Sequence, residues 1–143
     1  MHEALQGWLR GADPPPVIAL IGIRLLEAGE GTARLDLEAG PRHHNPMGTV
    51  HGGVFCDLAD AAMGVAMAGA LAEGASFTTL DLHIHYLRAV REERLTAEAA
   101  LVRRGRATAY LECTIRGADG VPVARAAAGC LISAQRSEQA ARG

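Results

Sequence analysis

The chain contains no lysine: all 14 of its basic side chains are arginine. Asparagine occurs once, as Asn45, and aromatic residues make up only 3% of the total. So few rings exclude a core built on aromatic stacking. Hydrophobic residues nevertheless reach 49%, and 28 of the 143 residues are alanine, so the core is expected to be small side chains that let backbones approach closely. Excess positive charge is also missing. A formal net charge of -2 and a pI near 6.3 argue against a general nucleic-acid binder, whose domains are basic. Cysteine appears three times, as Cys56, Cys113 and Cys130. An odd number at irregular spacing is no disulfide framework, and apolar neighbours mark all three as buried, reduced thiols. The longest uncharged apolar run, Ala61 to Ala72, has 12 residues, short of the roughly 20 that cross a bilayer. The opening MHEALQGWLR has an early acid and no long apolar stretch, unlike a secretory signal. The expectation is a cytoplasmic protein without membrane partner, one domain over residues 1–143, able to bury a core unaided.

Residues 2–10 read as a short amphipathic helix within a lead-in over 1–14, stopped by Gly11 and Pro14-Pro15-Pro16. Val17 to Glu27 reads as a strand. Gly29 and Gly31 turn the chain into Thr32–Glu38, whose period-two alternation marks a half-buried strand and completes a hairpin. A polar loop over Gly40–Gly53 precedes one long helix, Val54 to Ala72, rich in Ala, Met and Leu and free of proline. A helix apolar nearly all round is buried, and Gly64 and Gly69 within it suggest close packing. Ser76 to Val90 alternates, with Phe77, Thr79, Asp81, His83 and His85 on one face and Thr78, Leu80, Leu82, Ile84 and Tyr86 on the other. Strands follow over 94–103, 107–116 and 121–133, joined by hairpin turns at Arg104-Gly105 and Ala118-Asp119-Gly120. Residues 134–143 are expected to fray. Hairpin, helix and a four-strand meander give an α+β fold, an antiparallel sheet wrapped around one central helix. Free sheet edges in so small a domain invite pairing with a second copy.

Chemistry concentrates in Asn45-Pro46-Met47-Gly48-Thr49-Val50-His51-Gly52-Gly53 and in Asp60. His51-Gly52-Gly53 opens the long helix, where free N–H groups and a partial positive charge gather and glycines let a ligand oxygen approach. Asp60 lies in an apolar helical run, where an unpartnered carboxylate is costly. Asp57, one turn earlier, shares its face. Asn45 can position a water, and it is also an ordinary turn former ahead of Pro46. Helix-terminal amides can hold an oxyanion, and a desolvated carboxylate can serve as general base or as nucleophile. Gly52 and Asp60 stand about 12 Å apart along a helix, too far for both to touch one reacting group. Two antiparallel helices in a homodimer would bring the donor of one chain to Asp60 of the other.

The run HNPMGTVHGG, then LADAA, TTLDLHIHYLRAV, VRRGRATAY and the closing GVPVARAAAG resemble the hotdog-fold acyl-CoA thioesterases, most closely their phenylacetate-pathway (PaaI-like) type, over residues 15–133. The resemblance implies a hotdog fold, homodimers that pair into tetramers, and hydrolysis of an acyl-CoA to free acid and CoA, with phenylacetyl-CoA or a related aromatic or short-to-medium acyl group as substrate. It implies that Asp60 is the catalytic carboxylate, that the Gly52 amide polarises the thioester carbonyl, that Asn45 places water or acyl group, that His51 supports the site by hydrogen bonding and that Thr79 stands near the nucleophile. It further implies that CoA lies along Tyr86-Leu87-Arg88-Ala89-Val90-Arg91 and the turn Arg103-Arg104-Gly105-Arg106. That arginine-rich turn fits a phosphate clamp, although a solvated charged turn reads the same way. CoA is then substrate, and neither cofactor nor metal is implied. Met63 and Met67 are expected either to line an apolar acyl pocket or to pack in the core. His83 and His85 depart from the family pattern; an H-x-H on one strand face can bind a metal, but no acidic partner motif accompanies it. Two other readings share the fold: a non-catalytic acyl-CoA-binding protein, which would release no thiol, and a hydratase or dehydratase, whose catalytic His–acid motif is not found in this sequence.

Overall fold

The computed structural model describes residues 3–134. Helix α1 (Glu3–Leu9) buries Trp8. A second helix, α2 (Pro16–Ile21), takes the place of the first half of the strand expected over Val17–Glu27. Proline at the start presets the helical φ, and Gly22, at φ 92, closes the helix in the left-handed region. A short apolar run does not by its own period distinguish helix from strand; these flanking residues decide it.

Strands β1 (Ile23–Gly29) and β2 (Thr32–Ala39) form the expected hairpin. After a 3-10 turn over Pro41–His43 comes α3 (Gly52–Gly69). Strands β3 (Ser76–Tyr86), β4 (Glu93–Arg104), β5 (Thr108–Arg116) and β6 (Pro122–Ser133) complete the domain. The six strands form one antiparallel sheet in the order β1-β2-β4-β5-β6-β3. The expected four-strand meander is therefore corrected: β4, β5 and β6 are consecutive neighbours, whereas β3 lies at the far edge beside β6. The connection over 87–92 crosses the start of α3, pinned by buried Val90, whose carbonyl accepts from the Val50 amide.

The sheet curls around α3. Leu58, Ala59, Ala62, Ala66 and Met67 of the helix are fully buried against Leu35, Leu37, Leu95, Leu111 and Ile115 of the sheet. Each leucine-sized side chain so buried contributes about 1.5–3 kcal/mol. By length and apolar composition α3 could cross a membrane, longer than the uncharged run suggested because Asp57 and Asp60 interrupt it; here it is the core helix. Met63 and Met67 sit in this core, 1% and 0% exposed, as packing residues rather than as the wall of an open pocket. A Cβ on Gly69 would fall 2.1 Å from the Gly29 carbonyl oxygen, which shows how closely the helix end docks on the first hairpin. Cys113 and Cys130 are buried, but Cys56 is only half-buried, so the expectation for that thiol is corrected. Beyond Ala134, the expected frayed tail lies outside the described residues.

Strand β3 carries a second correction. Thr79 pairs with Cys130 and Asp81 with Gly129, so Leu80 is an extra residue, a β-bulge. The bulge inverts the alternation beyond it. Phe77, Leu82 and Ile84 pack on the core together, while His83 and His85 face outward beside Glu112, Arg125 and Ala127. Thr79 and the two histidines therefore do not share a face.

Candidate active site

The sheet leaves one stripe of α3 uncovered, on which Asp57 and Asp60 are exposed and Cys56, Ala61 and Gly64 half-buried. Asp60 is thus open to solvent within the single chain, contrary to the expected burial. Thr79 Oγ1, from the neighbouring edge strand, donates to Asp60 Oδ1 at 3.3 Å. The flanking protein still pushes the Asp60 carboxyl above its ordinary range, because desolvation, with the Asp57 charge added, outweighs the Thr79 hydrogen bond. Partial desolvation by its neighbours also pushes the exposed Asp57 carboxyl up.

The start of α3 is held from several sides. His51 caps the helix, its Nδ1 accepting from the Gly53 amide at 2.9 Å. Tyr86, the last residue of β3, donates its hydroxyl to the Gly52 carbonyl at 2.9 Å. Its ring meets Phe55 edge-on, with centroids 5.8 Å apart, and its oxygen lies 3.6 Å from Cys56 Sγ. Desolvation, together with Cys56, pushes the Tyr86 phenol up to about 12; like any phenol it is a donor at neutral pH. Among the described residues no acceptor takes the Gly52 N–H.

Asn45 lies beside this helix start but directs its polar atoms into its own loop. Its Oδ1 accepts from the Met47 and Thr49 amides at 3.0 and 3.2 Å, and its Nδ2 donates to Thr49 Oγ1 at 2.9 Å. That is the turn-forming reading of this residue. His43 and His44 likewise brace the loop, through the carbonyls of Ile21 and Arg91. A cleft of about 430 Å³ runs past Asn45, Gly52, Phe55, Tyr86, Leu87 and Arg88.

The two arginine-bearing segments stand far apart within one chain. Arg91 donates to the Gly48 carbonyl at 3.1 Å, at the start of α3. Arg104 donates to the Ala70 carbonyl at the other end of the helix, about 27 Å away for 18 residues. Arg88 is engaged by Glu93 at 3.0 Å and Asp119 at 3.6 Å. In the turn around Gly105, Arg103 and Arg106 make no ion pair among the described residues. The chain thus brings Asp60 to Thr79 and gathers Asn45, His51, Gly52 and Tyr86 at the helix start, but does not join the two expected CoA segments. No three His, Cys, Asp or Glu side chains among the described residues cluster closely enough to share a metal ion. The contact of Tyr86 with Gly52 escaped the sequence reading. Its one signal is the Gly-Gly pair, whose conformation needs support from outside the helix.

Residues 47–124 match the Thioesterase superfamily, and the six-stranded sheet around a central helix is its hotdog fold. The chain belongs to that superfamily. A phenylacetic acid degradation-related protein of Ralstonia eutropha JMP134 superposes with a TM-score of 0.80 at 30% identity, covering 90% of this chain and 99% of that one. A Halobacterium salinarum protein assigned to the esterases is 33% identical over 111 residues, 72% of this chain and 71% of its own length. The 1,4-dihydroxy-2-naphthoyl-CoA hydrolase of Listeria monocytogenes is 28% identical over 95 residues, 66% of this chain and 77% of its own.

Proposed function

We propose that this protein hydrolyses acyl-CoA thioesters in a site shared between two copies of the chain. The observation that carries the reading is Asp60: an acid with a raised pKa, hydrogen-bonded to Thr79, on a helix stripe that the described residues leave open beside the edge strand β3. Eight residues, about 12 Å of helix, separate it from the Gly52 amide, so the Gly52 of one chain is matched with the partner subunit's Asp60. A second copy paired along β3 would cover the stripe and complete the desolvation.

In the general-base route Asp60 takes a proton from water and the resulting hydroxide attacks the thioester carbonyl carbon. The Gly52 N–H holds the oxyanion as it forms. Collapse breaks the C–S bond, releases the acid and returns the proton from Asp60 to the CoA thiolate. In the nucleophilic route Asp60 attacks directly, expels CoA and forms a mixed anhydride that water then hydrolyses. The Listeria monocytogenes CoA hydrolase supports a thioester of CoA, and the Ralstonia eutropha phenylacetic acid degradation-related protein puts an aromatic acyl group such as phenylacetyl first among the candidates, in a cleft with Phe55 and Tyr86 in its wall.

The test is thiol release from a panel of acyl-CoAs, with Asp60→Asn beside the wild type. Asn keeps the size and removes the base, and turnover is expected to fall about 10²- to 10⁴-fold. Near-wild-type turnover in a folded variant would reject Asp60. CoA binding without hydrolysis of any member would move the reading to an acyl-CoA-binding protein, and hydration of an enoyl-CoA would move it to a hydratase.

A further inference from the structure

We infer that Tyr86 is a positioning residue for the oxyanion donor; this rests on the thioesterase reading above. The Gly52 carbonyl, which accepts from the Tyr86 hydroxyl at 2.9 Å, and the Gly53 amide, which donates to His51 Nδ1 at 2.9 Å, belong to one peptide unit. That unit is therefore gripped at both ends, by a strand residue on one side and the helix cap on the other. The grip is needed because two successive glycines have no Cβ to restrict their backbone. The adjoining peptide carries the Gly52 N–H, which has no acceptor among the described residues. Turning the gripped unit would turn that N–H away from a substrate oxygen.

The fit between the two residues is close. A Cβ on Gly52 would stand 2.7 Å from the Tyr86 hydroxyl oxygen and 2.9 Å from Cζ, so the ring lies directly over the glycine. Phe55 holds the ring edge-on at an interplanar angle of 75°. Tyr86 thereby couples the end of the edge strand to the start of the catalytic helix. Its family resemblance assigns it to CoA instead, and the two roles differ in kinetics. A donor that only fixes the oxyanion hole acts on kcat for every thioester, whereas a CoA contact acts on KM for CoA thioesters alone.

The experiment compares Tyr86→Phe with the wild-type full chain, using an acyl-CoA and the N-acetylcysteamine thioester of the same acid. Phe keeps the ring and removes the donor. The expected result is a fall in kcat on the order of tenfold for both substrates, with KM unchanged, and a shift of the Gly53 amide resonance in a ¹⁵N spectrum. An unchanged kcat, or a KM rise confined to the CoA thioester, overturns the inference. Should the Phe variant fail to fold, Tyr86→Leu, which also lacks a donor, is read by the same two criteria. A wild type that hydrolyses neither substrate nor any other thioester overturns the thioesterase reading itself, and the inference with it; activity in the wild type that Tyr86→Phe retains overturns the inference alone.

Discussion

Thr79 Oγ1 donates to Asp60 Oδ1 across 3.3 Å, joining the edge strand β3 to the carboxylate on the open stripe of α3. The bond stabilises the charged form of Asp60 and opposes the desolvation and the Asp57 charge that raise its pKa. Thr79→Ala removes that opposition. The acid limb of the kcat/KM profile is expected to move to higher pH, with the largest loss of activity at the acid end and little change on the plateau. A limb that stays in place, measured over a pH series with one acyl-CoA, would show that Asp60 does not titrate in the rate.

Asp60 also has a stability consequence. A carboxyl whose folded pKa is raised contributes stability that is fully present below its unfolded pKa and is lost as the pH rises through the folded one. At neutral pH the charged Asp60 is a liability. Asp60→Asn is expected to melt at or above the wild-type Tm at pH 7 while losing turnover, and calorimetry decides it: a clear fall in Tm would show that Asp60 is structural.

Asp36 behaves in the opposite sense. Its carboxylate is fully covered, accepts from Arg24 Nε and Nη2 at 2.8 Å each, and pairs with Arg94. Burial pushes its pKa up, but the hydrogen bonds and charges of the two arginines together prevail and hold it below the usual carboxylate range. The stability this contributes is present above the unfolded pKa and is lost as the pH falls through the folded one. Asp36→Asn is expected to cost about 1–2 kcal/mol at neutral pH in urea unfolding, with the gap to wild type closing in acid. A constant gap at all pH values would assign the effect to packing rather than charge.

The arginines of the β4–β5 turn separate into two kinds. Arg104 caps the end of α3 through the Ala70 carbonyl, so Arg104→Ala is expected to lower Tm. Arg106 has no ion pair among the described residues, and Arg106→Ala is expected to raise KM for an acyl-CoA about tenfold, the scale of one charge-assisted hydrogen bond. Its KM for a thioester without the nucleotide should not change. Equal losses for both substrates would refute a phosphate clamp.

The features legible in the sequence were those set by near neighbours. Ala, Met and Leu without proline specify α3, period-two alternation specifies β2, and the run from Asn45 to Asp60 marks the candidate site. Where local signals compete, the reading failed: Val17 to Ile21 suits strand or helix, and Pro16 and Gly22 make it helix. The single extra residue at Leu80 sends His83 and His85 outward, and nothing in the alternation announces it.

The tertiary structure alone decided the placement of β3, the exposure of Asp60 and the separation of the two arginine segments. Residues within a few positions determine whether a stretch winds or extends, because backbone hydrogen bonds and side-chain periodicity are short-range along the chain. Strand order, bulge register and the stripe that the sheet leaves bare depend on contacts between residues far apart in sequence, such as Tyr86 with Gly52 and Thr79 with Asp60. Those contacts form only when the sheet closes around the helix.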